Sequence, residues 1–269
     1  GTTTIGGAWT HTAGGAGTSG SGGAFVHNNG TITFDSGSGK SIDAPGEIFY
    51  KPTVGMTSNQ ILTITTGQTI VVENLLTLAD GLVNTGTIDA KGDVTMTANF
   101  DAASTATLHF TGTTVTQTFT LTGVEASWDG PITINKASGS VLLASGFTTS
   151  SARTFTLTSG TFDTGNFAFA SLGAFTQTGG IFTSGSSSMD IDGIFTLSGG
   201  TFNASSGTMT IANTWTHTAG GAGTAESGGA FVHNNGTITF DSGSGKSING
   251  PGEVFYRVTV GMGSLQILT

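Results

Sequence analysis

Residues 155–214 fall into three lines of 20: FTLTSGTFDTGNFAFASLGA (155–174), FTQTGGIFTSGSSSMDIDGI (175–194) and FTLSGGTFNASSGTMTIANT (195–214). Set one beneath another, they align Phe155, Phe175 and Phe195 with Trp215 at the head of the next line. Phe162, Phe182 and Phe202 form a second column, Phe169, Met189 and Met209 a third, and Ser171, Ile191 and Ile211 a fourth. Gly-rich turns separate these short apolar pieces. Within each piece the apolar spacing is two, and glycine recurs every few residues, which rules against a helix. A β-sandwich would also use short strands but would not demand identity every 20 residues. The pattern predicts an all-β chain wound as a parallel β-helix (β-solenoid), with coils of about 20 residues and occasional insertions. A single coil is too small to bury its own apolar side. Stacking one on another at about 4.8 Å puts the Phe column inside.

The alternation also predicts which way side chains point. In Met189-Asp190-Ile191 and Ile238-Thr239-Phe240 the central residue should face out. The nearly uniform Thr156, Thr176, Thr196 and Thr216 column should face out as well, leaving Leu157, Gln177, Leu197 and His217 inside. Buried Gln177 and His217 would then need hydrogen-bond partners. A ladder step between these two side chains is expected rather than a metal ligand at His217. After Trp215 the unit lengthens by nine residues and resumes at Phe231, Ile238 and Phe240.

A longer repeat encloses the short one. Residues 207–269 match 1–63 at 50 of 63 positions with a constant offset of 206, pairing Trp9 with Trp215, His27 with His233 and Lys40 with Lys246. A further offset of 79 relates Pro52, Leu76 and Gly86 to Pro131, Phe155 and Gly165. Residues 1–206 are therefore expected to be one complete long repeat, with sub-blocks near 9–93, 94–174 and 175–214. Residues 207–269 then open the next repeat, with no separate globular domain. The ends carry no expected cap, so neighbouring repeats, or further copies end to end, are the expected partners.

Composition narrows the function. The chain has 45 Gly and only 9% charged residues, yet 18 Phe and many β-branched residues, a set suited to strands and tight turns rather than disorder. A formal net charge of −9 with seven Lys and Arg provides no basic stripe, so nucleic acid is not an expected partner. There is no cysteine, hence neither disulfides nor thiolate metal sites. No apolar run is long enough to span a bilayer, and Gly1-Thr2-Thr3-Thr4 does not read as a signal peptide.

Catalytic patterns are weak. β-Helix lyases and hydrolases need acids close in space, at one column of adjacent coils. Here Asp163 lies over Thr183 and Asn203, Asp190 between Ala170 and Thr210, and Asp192 between Leu172 and Ala212. Asp190 and Asp192 share a face that could hold a weak cation, but two solvated acids fit better. His11, His27, His109, His217 and His233 show no zinc spacing. Ser38, between Gly37 and Gly39, lies in a Ser/Gly turn and not at the strand-to-helix elbow where a nucleophilic serine would sit. Asn29-Gly30-Thr31, Asn235-Gly236-Thr237 and Asn203-Ala204-Ser205 fit a glycosylation acceptor, with a turn the preferred reading of Asn-Gly. No catalytic, cofactor-binding or metal-ligating residue is assigned, and the chain is not expected to be an enzyme or to carry a cofactor.

Units such as Phe195 to Ile211, with Phe202 and Met209 between, resemble the β-solenoid repeats of large bacterial surface proteins of the filamentous-haemagglutinin and autotransporter adhesin types. That resemblance implies export to the cell surface, a right-handed parallel β-helix, and a role in adhesion, biofilm or surface architecture. The family shares no catalytic residues. The expected function is thus a structural component of an extracellular fibre or surface stalk of tandem solenoid repeats. The alternative is an adhesin holding glycans or other cells through repeated weak contacts, a reading that exposed Trp9 or Trp215 would favour. An ice-binding Thr array and a polysaccharide-active enzyme are minor alternatives.

Overall fold

The computed structural model describes residues 1–11, 24–35, 39–113, 116–122, 128–149, 154–171, 173–218, 228–241, 246–261 and 268. These residues are all-β with no helix, in parallel strands stacked about 21 residues apart, a β-solenoid as expected. The chain divides into two compact units, Gly1–Pro131 and Ile132–Thr269, which together wind about 10 turns.

In the second unit the 20-residue columns are strand pairings. Phe155 sits over Phe175, Phe175 over Phe195 and Phe195 over Trp215, all in parallel register. Each coil is three-sided: the strands Phe175–Gln177, Ile181–Thr183 and Met189–Ile191 form one turn, and Phe195–Leu197, Thr201–Asn203 and Thr208–Ile211 the next. Phe162, Phe182 and Phe202 stack on the second side, Phe169, Met189 and Met209 on the third. The nine-residue insertion is absorbed without loss of register, since Phe202 pairs with Phe231 and Met209 with Ile238.

Alternation then decides burial. Phe155, Phe175, Phe195 and Trp215 are all 0% exposed, as are Leu157, Gln177 and Leu197. The intervening Thr156, Thr176, Thr196 and Thr216 are half-buried and point outward, as do Asp190 and Thr239. Ring centroids along the first column lie 5.4, 5.5 and 4.2 Å apart with interplanar angles of 14°, 9° and 23°. Stacking of this kind adds about 0.5–1.5 kcal/mol per pair beyond burial. Rings of the second column meet the first edge-on, Phe175 against Phe182 at 5.2 Å. The core is therefore a continuous aromatic lattice.

The turn between the first two sides needs glycine. Gly180 and Gly200 have φ of +67° and +77°, and a Cβ on Gly180 would lie 2.4 Å from the Gly160 carbonyl oxygen of the coil before. Conformation and close approach both exclude a side chain there.

The first unit follows the same three-sided plan with less even spacing. Lys51–Gly55, Ile61–Ile64 and Thr69–Val72 make one coil, and Leu75–Asp80, Leu82–Asn84 and Thr87–Ala90 lie on it in that order. Its core is mainly aliphatic, with Val54, Leu62, Ile64, Val72 and Leu78 buried. Phe100 and Trp128 stack at 6.0 Å.

The 206-residue duplication reappears as identical pairing. In the first copy Thr31–Asp35 pairs with Lys51–Gly55, and in the second Thr237–Asp241 pairs with Arg257–Gly261, residue for residue at the same offset. Trp9 pairs with Ile42 as Trp215 pairs with Ile248. Lys246 bridges to Leu268 as Lys40 pairs with Leu62.

Candidate functional site

The feature that both copies rebuild is a buried polar clamp. Trp9 and His11 alternate with Thr10, so strand geometry sends both side chains inward. One coil later, Ala44-Pro45-Gly46-Glu47 forms a tight turn: Gly46 has φ +70° and the Glu47 N–H donates to the Ala44 carbonyl at 3.2 Å. Proline followed by a positive-φ glycine is the signature of a type II turn. The turn delivers Glu47 into the interior, where it is 0% exposed. Its Oε2 accepts the Trp9 Nε1–H at 3.1 Å and lies 2.7 Å from His11 Nδ1.

The second copy repeats this atom for atom. Gly252 has φ +72°, and the Glu253 N–H donates to the Gly250 carbonyl at 3.1 Å. Glu253 Oε2 accepts the Trp215 Nε1–H at 3.2 Å and lies 2.6 Å from His217 Nδ1. His217 Nε2 lies 3.3 Å from the Gly229 carbonyl oxygen, so the ring is held at both nitrogens. The second carboxylate oxygen of each glutamate, Oε1, is buried without a hydrogen-bond partner among the described residues. Each clamp joins successive coils through side-chain hydrogen bonds inside the core.

A second duplicated arrangement lies toward the surface. His27 stacks on Tyr50 at 5.4 Å and 17°, His233 on Tyr256 at 5.5 Å and 24°. Lys51 sits over the Tyr50 ring at 5.5 Å and Arg257 over Tyr256 at 5.2 Å. His27 Nδ1 accepts the Asn29 N–H at 3.0 Å, and Nε2 lies 3.2 Å from Glu73 Oε2. The turns carrying these histidines centre on Asn28–Asn29 and Asn234–Asn235, all at positive φ, with Gly30 and Gly236 closing them. The turn expected at Asn-Gly is thus present one residue earlier. Asn203, in the third possible glycosylation acceptor, ends a strand.

Several expectations need correction or placement. Gln177 and His217 do not form a ladder step, because Leu197 lies between them in the column. Gln177 instead donates from Nε2 to the carbonyls of Gly180 at 3.2 Å and Thr201 at 3.0 Å, while His217 serves Glu253. Trp215, whose exposure would have favoured stacking on sugars, is wholly buried, and Trp9 is half-buried. Residues 36–38, with Gly37 and Ser38 of the Ser/Gly turn, lie outside the described residues. His109 Nδ1 lies 3.6 Å from Asp89 Oδ1.

The acidic columns stand where the alignment put them. Asp163 pairs with Thr183 and Thr183 with Asn203, and Asp190 lies between Ala170 and Thr210. A cleft of about 420 Å³ contains Asp80 and Asp101. Asp101 accepts from Ser58 Oγ and the Asn59 N–H, and Asp80 from the Gly81 N–H, so both carboxylates hold turns. Among the described residues, no three His, Asp or Glu side chains converge as a metal set would.

Asp190 carries a pH signature. Burial, then the nearby Asp192 and Asp241 carboxylates, push its carboxyl above the usual aspartate range. The folded chain thus holds this proton more tightly than the unfolded chain does. Its stabilising contribution is complete below the unfolded value of 3.8 and is lost as pH rises through the folded one. Asp190→Asn should therefore melt higher than the parent at neutral pH, with the difference closing toward about pH 4. Thermal scans across that range measure it. No family model, curated protein or solved structure matches this chain.

Proposed function

We propose that this chain is a structural segment of an extracellular fibre or surface stalk, built from tandem β-solenoid repeats stacked end to end. One observation carries the reading: the described residues between 207 and 261 rebuild the pairing and the clamp of the first copy at the same register, 206 positions on. A module that returns in phase along a solenoid is a unit of length. The core supports a load-transmitting role, since its inward side chains are spent on aromatic stacking and on bonds between coils. The resemblance of the Phe195 to Ile211 unit to adhesins of the filamentous-haemagglutinin and autotransporter types agrees with a cell-surface setting.

Length is the test. Chains with one, two and three 206-residue repeats, imaged by negative stain, should give rods that lengthen by about 40–50 Å per repeat at 4.8 Å per coil. Compact particles of constant length would end the fibre reading.

A further inference from the structure

The same module occurs twice, once covered and once bare, and the covered copy displays what the bare one accepts. In the first copy, residues 64–80 lie on the module. Val71 and Val72 pair with Ile48 and Phe49, and Thr77 and Leu78 with Thr53 and Val54. Under that coil Phe49 is 0% and Val54 2% exposed. In the second copy the equivalent strand, Arg257–Gly261, has no strand on its outer edge among the described residues. There Val258 and Val260, whose counterparts Pro52 and Val54 are buried, are 48% and 55% exposed, and Phe255 is half-buried where Phe49 is sealed. Two closely similar segments in one register, IFYKPTV (48–54) and VFYRVTV (254–260), thus present a sealed core in one copy and exposed valines in the other.

We infer that the edge carrying Phe255, Val258 and Val260, the counterparts of buried Phe49, Pro52 and Val54, is an acceptor for a coil with the sequence of residues 64–80 from a further repeat. The inference rests on the fibre reading and names the joint by which repeats connect. Main-chain pairing would set the register: the Val71-Val72 step onto Val254-Phe255, the Thr77-Leu78 step onto Thr259-Val260. Polar groups agree with the same occupant. In the first copy Glu73 faces His27 Nε2 and the Asn74 N–H donates to the Tyr50 carbonyl at 3.0 Å. In the second copy His233, held at Nδ1 by the Asn235 N–H in the same way, has no carboxylate at Nε2 among the described residues. The docked coil brings a glutamate to that position. Edge strands with unpaired N–H and C=O groups and exposed valines are templates for such addition.

The test extends the full chain in frame after Thr269 with a second copy of residues 64–131, against an extension of the same composition in scrambled order. Hydrogen exchange at Arg257–Gly261 is the readout. The native-order extension should slow exchange there by about tenfold or more relative to the scrambled one. Val260→Lys in the extended chain should abolish the protection while the buried Trp215 fluorescence is retained. Equal exchange in the two extensions, or protection that survives Val260→Lys, overturns the inference. Protection without rods in the imaging series would leave the acceptor face standing and remove the fibre. Rods without protection at this strand would do the reverse.

Discussion

Replacing Phe175 and Phe195 together with aspartate should unravel the coils around them and lower the melting temperature by about 10–20 °C or more. Each ring is wholly buried and stacked on its neighbours above and below, with edge contacts to Phe182 and Phe202. Removing a buried phenylalanine costs about 3–5 kcal/mol, and leaving a carboxylate in its place adds a desolvation penalty. Because stability in a stacked array is a sum of coil and neighbour terms, the loss should spread to adjacent coils before the rest of the chain responds. Thr176→Asp and Thr196→Asp provide the internal control. They lie one residue away but face outward, half-buried, and should cost under about 1 kcal/mol. Circular dichroism and thermal melting of the two pairs decide the orientation. Similar loss in both would contradict an interior Phe column.

The lattice in the second unit was legible because its coils keep a constant length, so identical side chains fall one above another in the alignment itself. Phe155, Phe175 and Phe195 needed no other information. The nine-residue insertion was legible too, since the columns resume after it at Phe231 and Ile238. The first unit hides its coils. Leu76 stacks on Val94, but Trp9 stacks on Ile42 and Val94 on Phe119. Turns there vary in length while strands remain stacked, and backbone pairing is indifferent to how much chain the turn holds. Sequence periodicity therefore fades where the structure does not.

The clamp escaped for a different reason. Nothing in the strand periodicity marks Glu47 or Glu253, which follow a turn, as interior; it is the positive-φ glycine before each that turns the chain so that the carboxylate enters the core. A signal was present: Pro-Gly-Glu is unchanged between the copies although the residues on either side, Ala44 and Ile48, become Gly250 and Val254. Buried Lys136 gave no such hint. Burial holds its ammonium group below the usual lysine range.

Glu253→Ala should destabilise the second unit by about 2–5 kcal/mol, since it strands two buried polar groups at about 1–3 kcal/mol each. Two donors lose their acceptor at once. Trp215 is 0% and His217 1% exposed, so water cannot replace the carboxylate without opening the coil. Glu253→Gln separates charge from hydrogen bonding. The amide keeps an oxygen for the indole N–H at the same reach, and its cost should fall to about half that of alanine if bond geometry dominates. The clamp also has a position that makes its loss informative. Trp215 and His217 lie before the insertion and Glu253 after it, so the bond fixes where the longer coil returns to the stack. Glu47→Ala should weaken the first copy in the same manner, through Trp9 and His11. Replacing His217 and Glu253 together with leucine should recover part of the loss, because an apolar pair leaves only the Trp215 N–H and the Gly229 carbonyl without these partners. Denaturant melts followed by tryptophan fluorescence measure all four variants. A Glu253→Ala cost below about 0.5 kcal/mol would show that aromatic stacking alone holds these coils in register.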